Sequence, residues 1–246
     1  MSFRISRRQL LKYLAGIGAV TVGASLGSLK LSEFMRHEED KLAVEGESIE
    51  LPEPRRRSSF SIEEAIESRR SRRSYTDDPV LLNDISQLCW AAQGTTEAKL
   101  GFRAAPSAGA LYPLEIFLTV GNSDLAPGVY HYACGEHTLE RVKEGDYRKQ
   151  LCEASLGQEW VEKGALDFVI TAIYDRTMVK YGERGRERYV PMEAGHVAEN
   201  IYLQAESLGL ATVAIGAFYD DEVREVISAP SEYIPLYVMP IGHVRR

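Results

Sequence analysis

Apolar residues after position 190 repeat with the period of an α-helix. From Ala194 to Leu208 they recur at helical spacing, and Gly209, a residue type that often closes a helix, follows directly. The stripe consists of Ala194, Val197, Ala198, Ile201, Ala205 and Leu208. A second stripe of the same period runs from Leu81 to Ala92 and stops before Gly94. The pattern therefore predicts two helices, the longer one starting near Glu193, that each bury one face.

Shorter apolar runs predict β-strands. Leu114–Val120 and Leu166–Tyr174 are almost continuously apolar, which is typical of strands covered on both faces. Val129–Tyr132 and Thr138–Val142, joined by polar residues around Gly135, predict a hairpin. The sequence also predicts strands at Ala211–Ile215 and Leu236–Ile241 and short helices at Asp146–Ala154 and Asp220–Ile227. Thr95–Ala105 is predicted to be a loop. This mixture of helices and strands predicts an α+β sheet fold.

The first 35 residues carry a targeting pattern. Ser6–Lys12, which reads SRRQLLK, is followed by the uncharged run Tyr13–Leu29 of 17 residues, the short limit for a membrane span. This stretch resembles a twin-arginine export signal. The resemblance implies that the twin-arginine translocation machinery carries the folded protein, often with its cofactor, to the periplasm or extracytoplasmic face. An uncleaved membrane anchor is the alternative.

The next segment, residues 36–59, differs again in composition. Pro52, Pro54 and many charged residues predict an exposed linker there. The folded domain is therefore predicted to span residues 60–246.

Charge is divided unevenly along the chain. The first 36 residues hold six arginine and lysine side chains and one acid, so they carry +5 of a total of −7, and the remainder carries −12. A body this acidic binds polyanions poorly, so nucleic acid is not a predicted partner. The three cysteines, Cys89, Cys134 and Cys152, lack CxxC spacing, and the five histidines lack ligand spacing. Neither a disulfide framework nor a metal site is therefore predicted.

Ser68–Tyr75, which reads SRRSRRSY, gathers four arginines within this acidic body. Ser61 and Glu64 upstream have the capping-box spacing, which predicts a helix that starts near Ile62 and ends near the arginines. The guanidinium groups of Arg69, Arg70 and Arg73, with the Ser71 hydroxyl, can bind a phosphate through hydrogen bonds worth roughly 1.5 to 3 kcal/mol each. From this run alone, a solvated basic face and a nucleic-acid patch are the alternatives, and the acidic body argues against the second.

The stretch Ala105–Pro113, which reads APSAGALYP, leads into the predicted strand at Leu114. The small residues of this stretch let backbone amides approach a flat ligand, and Tyr112 can supply a wall. These residues are Pro106, Ser107, Ala108, Gly109 and Ala110. An ordinary turn is the alternative.

Four motifs in this order resemble the nitroreductase family of flavin enzymes, specifically its SagB-type dehydrogenase branch. They are SRRSRRSY, APSAGALYPLE, KYGERGRERYVPMEAGHVAENIYLQAESLGLATVAIGAF and PLYVMPIG, all between Ser58 and Gly242. That branch includes enzymes that oxidise thiazolines and oxazolines in peptides. The resemblance implies a mostly antiparallel central sheet flanked by helices, and a homodimer with FMN at the subunit interface. It also implies a small-molecule or peptide substrate.

The same resemblance implies cofactor contacts at matched positions. Arg69, Arg70, Ser71 and Arg73 match the element that contacts the phosphate, the ribityl chain and the pyrimidine edge of the flavin. Residues 106–110 match the loop that the partner subunit places against the isoalloxazine. Ile215 and Gly216 match the family's backbone segment that follows the strand containing GLAT, residues 209–212. Ile241 and Gly242 match the family's last strand, here the end of PLYVMPIG. A basic residue after that element reaches the phosphate in this family, a role open here to Arg245 or Arg246.

Lys180 and Tyr181 match a Lys-Tyr pair to which the azoline-oxidising branch assigns help in proton removal. A buried lysine beside a phenol is chemically suited to that role. The alternative is a surface lysine in a mobile loop, solvated like the arginines that follow it. His196, on the predicted central helix, is interpreted as a hydrogen-bonded core histidine.

Three functions compete on these grounds. The first is an exported FMN-dependent oxidoreductase of SagB type that transfers a hydride between an organic substrate and the flavin. The second is an NAD(P)H-dependent nitroreductase-like reductase, which export disfavours because reduced nicotinamides are scarce outside the cytoplasm. The third is a non-enzymatic flavin-binding electron-relay protein, which would need no acid-base residues of its own.

Overall fold

The computed structural model describes residues 48–245, where it contains seven α-helices, a 3-10 turn at Ala108–Ala110, a π-helical turn at Gly185–Tyr189 and nine strands. The helices are α1 Ile62–Ser68, α2 Leu82–Gln93, α3 Arg148–Ala154, α4 Glu159–Lys163, α5 Asp175–Tyr181, α6 Val190–Leu208 and α7 Asp220–Val226. The strands are β1 Ser48–Glu50, β2 Thr95–Glu97, β3 Phe102–Arg103, β4 Leu114–Val120, β5 Gly128–Ala133, β6 Thr138–Glu144, β7 Leu166–Ala172, β8 Leu210–Thr212 and β9 Ile234–His243.

Seven of these strands form one sheet in the order β1-β6-β5-β4-β7-β9-β8. Every neighbouring pair in it is antiparallel. The central pair runs in continuous register from Leu114 opposite Ala172 to Val120 opposite Leu166. The predicted α+β fold with a mostly antiparallel sheet flanked by helices is confirmed. The predicted loop after α2 instead contains the small hairpin of β2 and β3.

The central strands are apolar on both faces because both faces are covered. Ile116 and Leu118 of β4 enter the main core, where α2 contributes Leu88 and α6 contributes Val197. Phe117, on the opposite face, stacks edge-on against Tyr233 with ring centroids 5.8 Å apart. The continuous apolar run of β4 is therefore explained by its position between two packed layers.

The predicted helices form with small shifts in their ends. The long helix α6 starts at Val190, three residues before its predicted start, and Gly209 closes it in the left-handed conformation at φ 70°. His196 on this helix is exposed, so its interpretation as a core histidine is wrong. It shares the solvent face with Met192 and Glu199, one turn away on either side.

Part of the segment predicted as an exposed linker belongs to the folded body. β1 pairs with β6, and the Leu51 side chain that follows is buried. The Leu51 N–H donates to the His137 carbonyl at 3.2 Å, and the Arg55 N–H donates to Gln87 Oε1 at 2.7 Å. The sequence pattern did not predict this strand, because it spans only three residues at the sheet edge and is followed by prolines and charged residues.

The predicted signal or anchor, residues 1–35, lies outside the described residues. Within residues 48–245, no helix combines the length and the apolar composition needed to cross a bilayer.

Candidate functional site

The arginine segment, residues 69–75, leaves the end of α1 and crosses the C-terminal half of α6. The predicted capping box of α1 is present, since Glu64 N–H donates to Ser61 Oγ at 3.1 Å and Ser61 N–H donates to Glu64 Oε2 at 2.7 Å. Further on, the Ser71 backbone bridges to Thr212 of β8, and the Ser71 hydroxyl lies 3.0 Å from the Tyr202 hydroxyl. The segment is therefore fixed to both α6 and β8.

The four arginines take different partners. Arg72 pairs with Glu206, whose side chain is largely buried. The Arg69 guanidinium lies over the Tyr202 ring at 5.1 Å, with its Nε 3.8 Å from Glu199. Arg73 lies over the Trp160 ring at 5.4 Å, and Arg70 donates from Nη1 to two backbone carbonyls at 2.9 and 2.7 Å. Among the described residues, Arg70 and Arg73 have no carboxylate partner, so their charges remain available to an anion.

The loop 106–112 connects β3 to β4 through an unusual backbone. Gly109, Ala110 and Tyr112 have φ of 67°, 54° and 45°, and two of these residues are not glycine. The loop is closed by two internal hydrogen bonds, from the Ala110 N–H to the Ser107 carbonyl at 3.1 Å and from the Tyr112 N–H to the Ser107 hydroxyl at 2.9 Å. Left-handed backbone at non-glycine residues is strained and persists only where surrounding contacts enforce it.

Lys180 and Tyr181 lie directly against this loop. A Cβ atom added at Gly109 would stand 2.9 Å from both Lys180 Nζ and the Tyr181 hydroxyl. Tyr181 stacks edge-on against Tyr189 with ring centroids 5.0 Å apart, which fixes its orientation. The two residues end α5, so the alternative of a mobile loop does not describe this stretch. Lys180 is exposed in the single chain, so the burial that its catalytic role invokes is not provided by this chain alone.

An ion network fastens α5 to the base of the loop. Arg176 Nη1 donates to the Tyr112 carbonyl at 3.2 Å and pairs with Glu115. His131 Nε2 lies 2.8 Å from the other Glu115 oxygen. Burial alone would raise the pKa of Glu115, but His131 and Arg176 together lower it. The carboxylate therefore stays charged and holds α5 in place.

Glu193 is a candidate residue that sequence reasoning missed. Its side chain is 3 % exposed, and burial raises its pKa to about 7 although Ser107 and Arg103 favour the charged form. Its Oε1 and both polar atoms of neighbouring Gln93 lack a hydrogen-bond partner among the described residues. The available signal was an acid four residues before Val197, on the apolar face of a long helix.

The family model described as "Nitroreductase family" matches residues 66–243. This match covers well over half of the chain and includes both the arginine segment and the loop. The chain belongs to the nitroreductase family. It is accordingly an oxidoreductase, and the family points to a flavin as its cofactor.

Relatives within the nitroreductase family agree. A protein of Methanocaldococcus jannaschii, provisionally named a nitroreductase, is 42% identical over 195 residues that cover 79% of this chain and 95% of the relative. The microcin B17-processing protein McbC of Escherichia coli is 30% identical over 149 residues, 58% of this chain and 54% of McbC. This chain therefore spans about half the length of McbC, and the likeness supports the resemblance to the SagB-type branch.

Solved structures give the same result for the nitroreductase fold. A provisionally named nitroreductase from Ralstonia eutropha aligns with a TM-score of 0.72 and 29% identity, over 82% of this chain and 91% of that chain. The Escherichia coli microcin synthetase McbBCD complex, with truncated pro-MccB17 bound, aligns with a TM-score of 0.62 and 26% identity over 79% of each chain.

Of the other predicted cofactor residues, some are exposed and some are buried. Gly216 is exposed after the buried Ile215, which pairs with Val238. Ile241 and Gly242 are buried, and a Cβ at Gly242 would stand 2.8 Å from Tyr75. Gly242 therefore packs against Tyr75 at the end of the arginine segment, whereas Ile241 pairs with Leu166 and Thr212 inside the sheet. Arg245 also contacts Tyr75, since its Nε donates to the Tyr75 carbonyl at 2.8 Å, and Arg246 lies outside the described residues.

The candidate residues thus gather at two ends of α6. The arginine end comprises residues 69–75 with Tyr202 and Glu206, and the loop end comprises residues 106–112 with Lys180, Tyr181 and Glu193. Glu193 and Tyr202 are nine residues apart, roughly 14 Å along the helix axis.

Two surface clefts, of about 410 and 460 Å³, lie away from the loop. The first is lined by residues of α1, α2 and α6 with Arg55, Arg56 and Arg57, and the second lies beside Arg72 and Glu206. Neither includes Lys180 or any residue of loop 106–112. The loop end is an open surface in the single chain, and cleft size does not locate the chemistry.

Proposed function

We propose that this protein is an FMN-dependent dehydrogenase of SagB type that transfers a hydride between an organic substrate and its flavin. The observation that carries this proposal is the position of Lys180 Nζ and the Tyr181 hydroxyl against Gly109, on a loop of small residues. Such a surface presents an amine and a phenol to anything that lies flat on the loop. Similarity to the microcin B17-processing protein McbC supports a peptide substrate in particular. So does 33% identity over 113 residues to the trifolitoxin-processing protein TfxB of Rhizobium leguminosarum, of which the match covers 30%.

The residues at both ends of α6 suit FMN. The exposed cations Arg70 and Arg73, free of carboxylate partners in the described part of the chain, match a phosphate, and Arg69 with Ser71 stands next to them. The loop end offers a flat ring the exposed backbone of Gly109, with Lys180 and Tyr181 beside it. Bound FMN would supply the hydride-accepting chemistry that no protein side chain has.

The protein's own contribution is proton transfer and positioning. Lys180 Nζ would take a proton from the substrate as the hydride leaves, while the Tyr181 hydroxyl, locked by Tyr189, orients the reacting group. A ring laid on Gly109 would also cover Lys180. That cover would remove water from the amine, which the single chain leaves exposed.

We also propose that two copies form the working unit. The loop end is an open surface in the single chain and leaves Lys180 exposed, so a second copy would cover this surface and complete the flavin site between the two copies. Sedimentation of the purified protein tests this. A dimer is expected, and a monomer that retains FMN would contradict it.

Donor choice distinguishes the proposed function from its rivals. The protein should be yellow and release FMN on denaturation, and under anaerobic conditions a thiazoline- or oxazoline-containing peptide should bleach it. Bleaching by NADPH instead would support the second candidate, a reductase, which is favoured by 24% identity over 192 residues to the FMN reductase [NAD(P)H] of Bacillus subtilis. A flavoprotein that no organic donor bleaches would be left as an electron relay, and a colourless protein would overturn all three.

Export through residues 1–35 is a separate proposal that rests on their sequence alone. Replacing Arg7 and Arg8 together by lysine should leave the precursor in the cytoplasm, because the machinery recognises the arginine pair. Fractionation of cells expressing both forms checks it. Equal export of the two forms would overturn the assignment.

A further inference from the structure

Loop 106–112 lies between two sets of polar side chains. Lys180 and Tyr181 contact its outer side at Gly109. On the inner side, the Glu193 carboxyl faces the Ser107 hydroxyl and the Ala108 N–H, and both of these favour its charged form. Ser107, Ala108 and Gly109 are consecutive, so a change on the inner side reaches the outer side through at most two residues.

The loop depends on such contacts for its shape. Its left-handed residues, two of them non-glycine, hold a strained backbone conformation. The two internal hydrogen bonds of the loop both end on Ser107, at its carbonyl and at its hydroxyl. A group that fixes Ser107 therefore fixes the whole turn. On the buried side of the loop, that group is Glu193.

The surroundings of Glu193 leave its charge state open. Arg103 of β3 is the charged group whose field acts on the carboxyl, α2 contributes Gln93, and the loop contributes Ser107 and Ala108. Lys180 and Tyr181 of α5 stand across the loop, and His196 of α6, one turn further on, is exposed. The Gln93 amide lies close enough to favour the charged carboxyl, yet neither it nor Oε1 makes a full hydrogen bond within the described residues, so neither charge state is fully satisfied.

We propose that Glu193 is a positioning residue whose carboxylate holds Ser107 and Ala108, and thereby shapes loop 106–112 for the ring that lies on it. Protonation weakens this hold, because a charged acceptor binds N–H and O–H donors more strongly than a neutral one. The loop is then tight at high pH and loose at low pH, with the change near neutrality. The part that concerns the ring rests on the proposed function, whereas the part that concerns the loop does not.

The loop part is tested on the flavin-free protein. Infrared absorption of neutral carboxyl groups should lose one component as the pH rises through about 7, and Glu193→Gln should lack that component. Glu222→Gln, which replaces an exposed acid in the first turn of α7, should retain it. An unchanged component in Glu193→Gln would overturn the assignment of the titrating group.

Hydrogen exchange of the loop amides gives a second readout. At about pH 8 the amides of residues 108–110 should exchange about fivefold to tenfold faster in Glu193→Gln than in the wild type, and at about pH 5.5 the two should agree. Equal exchange at both pH values would overturn the proposed hold.

The ring part is tested on the FMN-loaded protein through the fluorescence of bound FMN against pH. The wild type should show a step near neutral pH, and Glu193→Gln should show its low-pH level throughout. His196→Asn should keep the step, which excludes the exposed histidine. A step that survives in Glu193→Gln would overturn the coupling. A protein that binds no FMN would contradict the proposed function while leaving the infrared and exchange results to decide the role of Glu193.

Discussion

The two ends of α6 satisfy their polar groups to different degrees. At the arginine end, Arg72 pairs with Glu206, and Tyr202 receives the Ala214 N–H at 2.7 Å and contacts Ser71 at 3.0 Å. At the loop end, Glu193 and Gln93 keep buried polar atoms without partners in the described chain, and the backbone above them is strained. The arginine end carries exposed cations on a segment fixed by hydrogen bonds, although the Thr212 hydroxyl beside it lacks a partner among the described residues. The loop end instead buries an ionisable carboxyl with an unpartnered oxygen.

This difference suggests a division of work. A phosphate site needs fixed positive charge and no change during the reaction, which a segment tied to α6 and β8 provides. Proton transfer needs groups whose charge can change, and such groups are costly to bury and leave unpaired. The variants below test whether binding and chemistry are separated along α6 in this way.

Removing Lys180 should have the largest effect. Lys180→Ala should slow reduction of the bound flavin by about 10² to 10⁴ while FMN content stays intact, as expected for loss of a proton acceptor. Anaerobic stopped-flow measurement with the donor that bleaches the wild type checks this. Lys143→Ala is the matched control, because Lys143 also lies over a tyrosine ring, that of Tyr147, but outside the site. Equal rates in the two variants would remove Lys180 from the chemistry.

Removing Arg73, which has no carboxylate partner among the described residues of the arginine end, should affect FMN binding rather than the reduction rate. Arg73→Ala should weaken FMN affinity by about tenfold to a hundredfold through loss of one charge-assisted hydrogen bond, with little change in the reduction rate of the remaining holoprotein. Equilibrium dialysis measures the affinity. Arg224→Ala, which removes an arginine paired with Asp221 on α7, should bind FMN like the wild type. Normal affinity in Arg73→Ala would show that the arginine end is not the phosphate site.

Gly109→Ala tests how tightly the loop end is fitted. The new Cβ would stand 2.9 Å from Lys180 Nζ and the Tyr181 hydroxyl, so flavin reduction should slow by about tenfold as both groups are displaced. Gly101→Ala separates this effect from backbone strain, because Gly101 has nearly the same φ, 66°, and open space around it. If both variants lose the same rate, strain rather than crowding explains the result.

The scaffold could be predicted further than the loop end. The apolar run of β4 gives its bounds to the residue, and the Ser61–Glu64 spacing gives the start of α1, because both depend on local sequence. Helix α5 carries no clear apolar stripe, with Val179 and Lys180 exposed, so pattern alone did not predict it. The partners of Glu193 come from positions near 93, 103 and 107, and only the tertiary fold brings such distant residues together.

The internal bonds of the arginine end should be visible in stability. Tyr202→Phe removes the hydroxyl shared by Ser71 and Ala214 and leaves a backbone N–H unsatisfied, which should cost about 1 to 3 kcal/mol of the free energy of unfolding. Urea unfolding measures it, with Tyr219→Phe at an exposed site as the control. A loss no larger than in the control would mean that this end is not held by that hydroxyl.

At the loop end, Glu193→Gln should raise the free energy of unfolding, whereas Tyr202→Phe at the arginine end should lower it. Burial raises the pKa of Glu193 from 4.5 to about 7, so between these values the unfolded chain is ionised while the folded chain keeps its proton. The free energy of unfolding therefore falls as the pH rises from about 4.5 to about 7 and stays low above it. Glu193→Gln cannot ionise, so it should gain about 3 kcal/mol over the wild type above that range and nothing below it. Thermal unfolding at both ends of the range checks this, with Glu222→Gln as the control. A gain that does not depend on pH would mean that packing, rather than the buried charge, sets the energetics of the loop end.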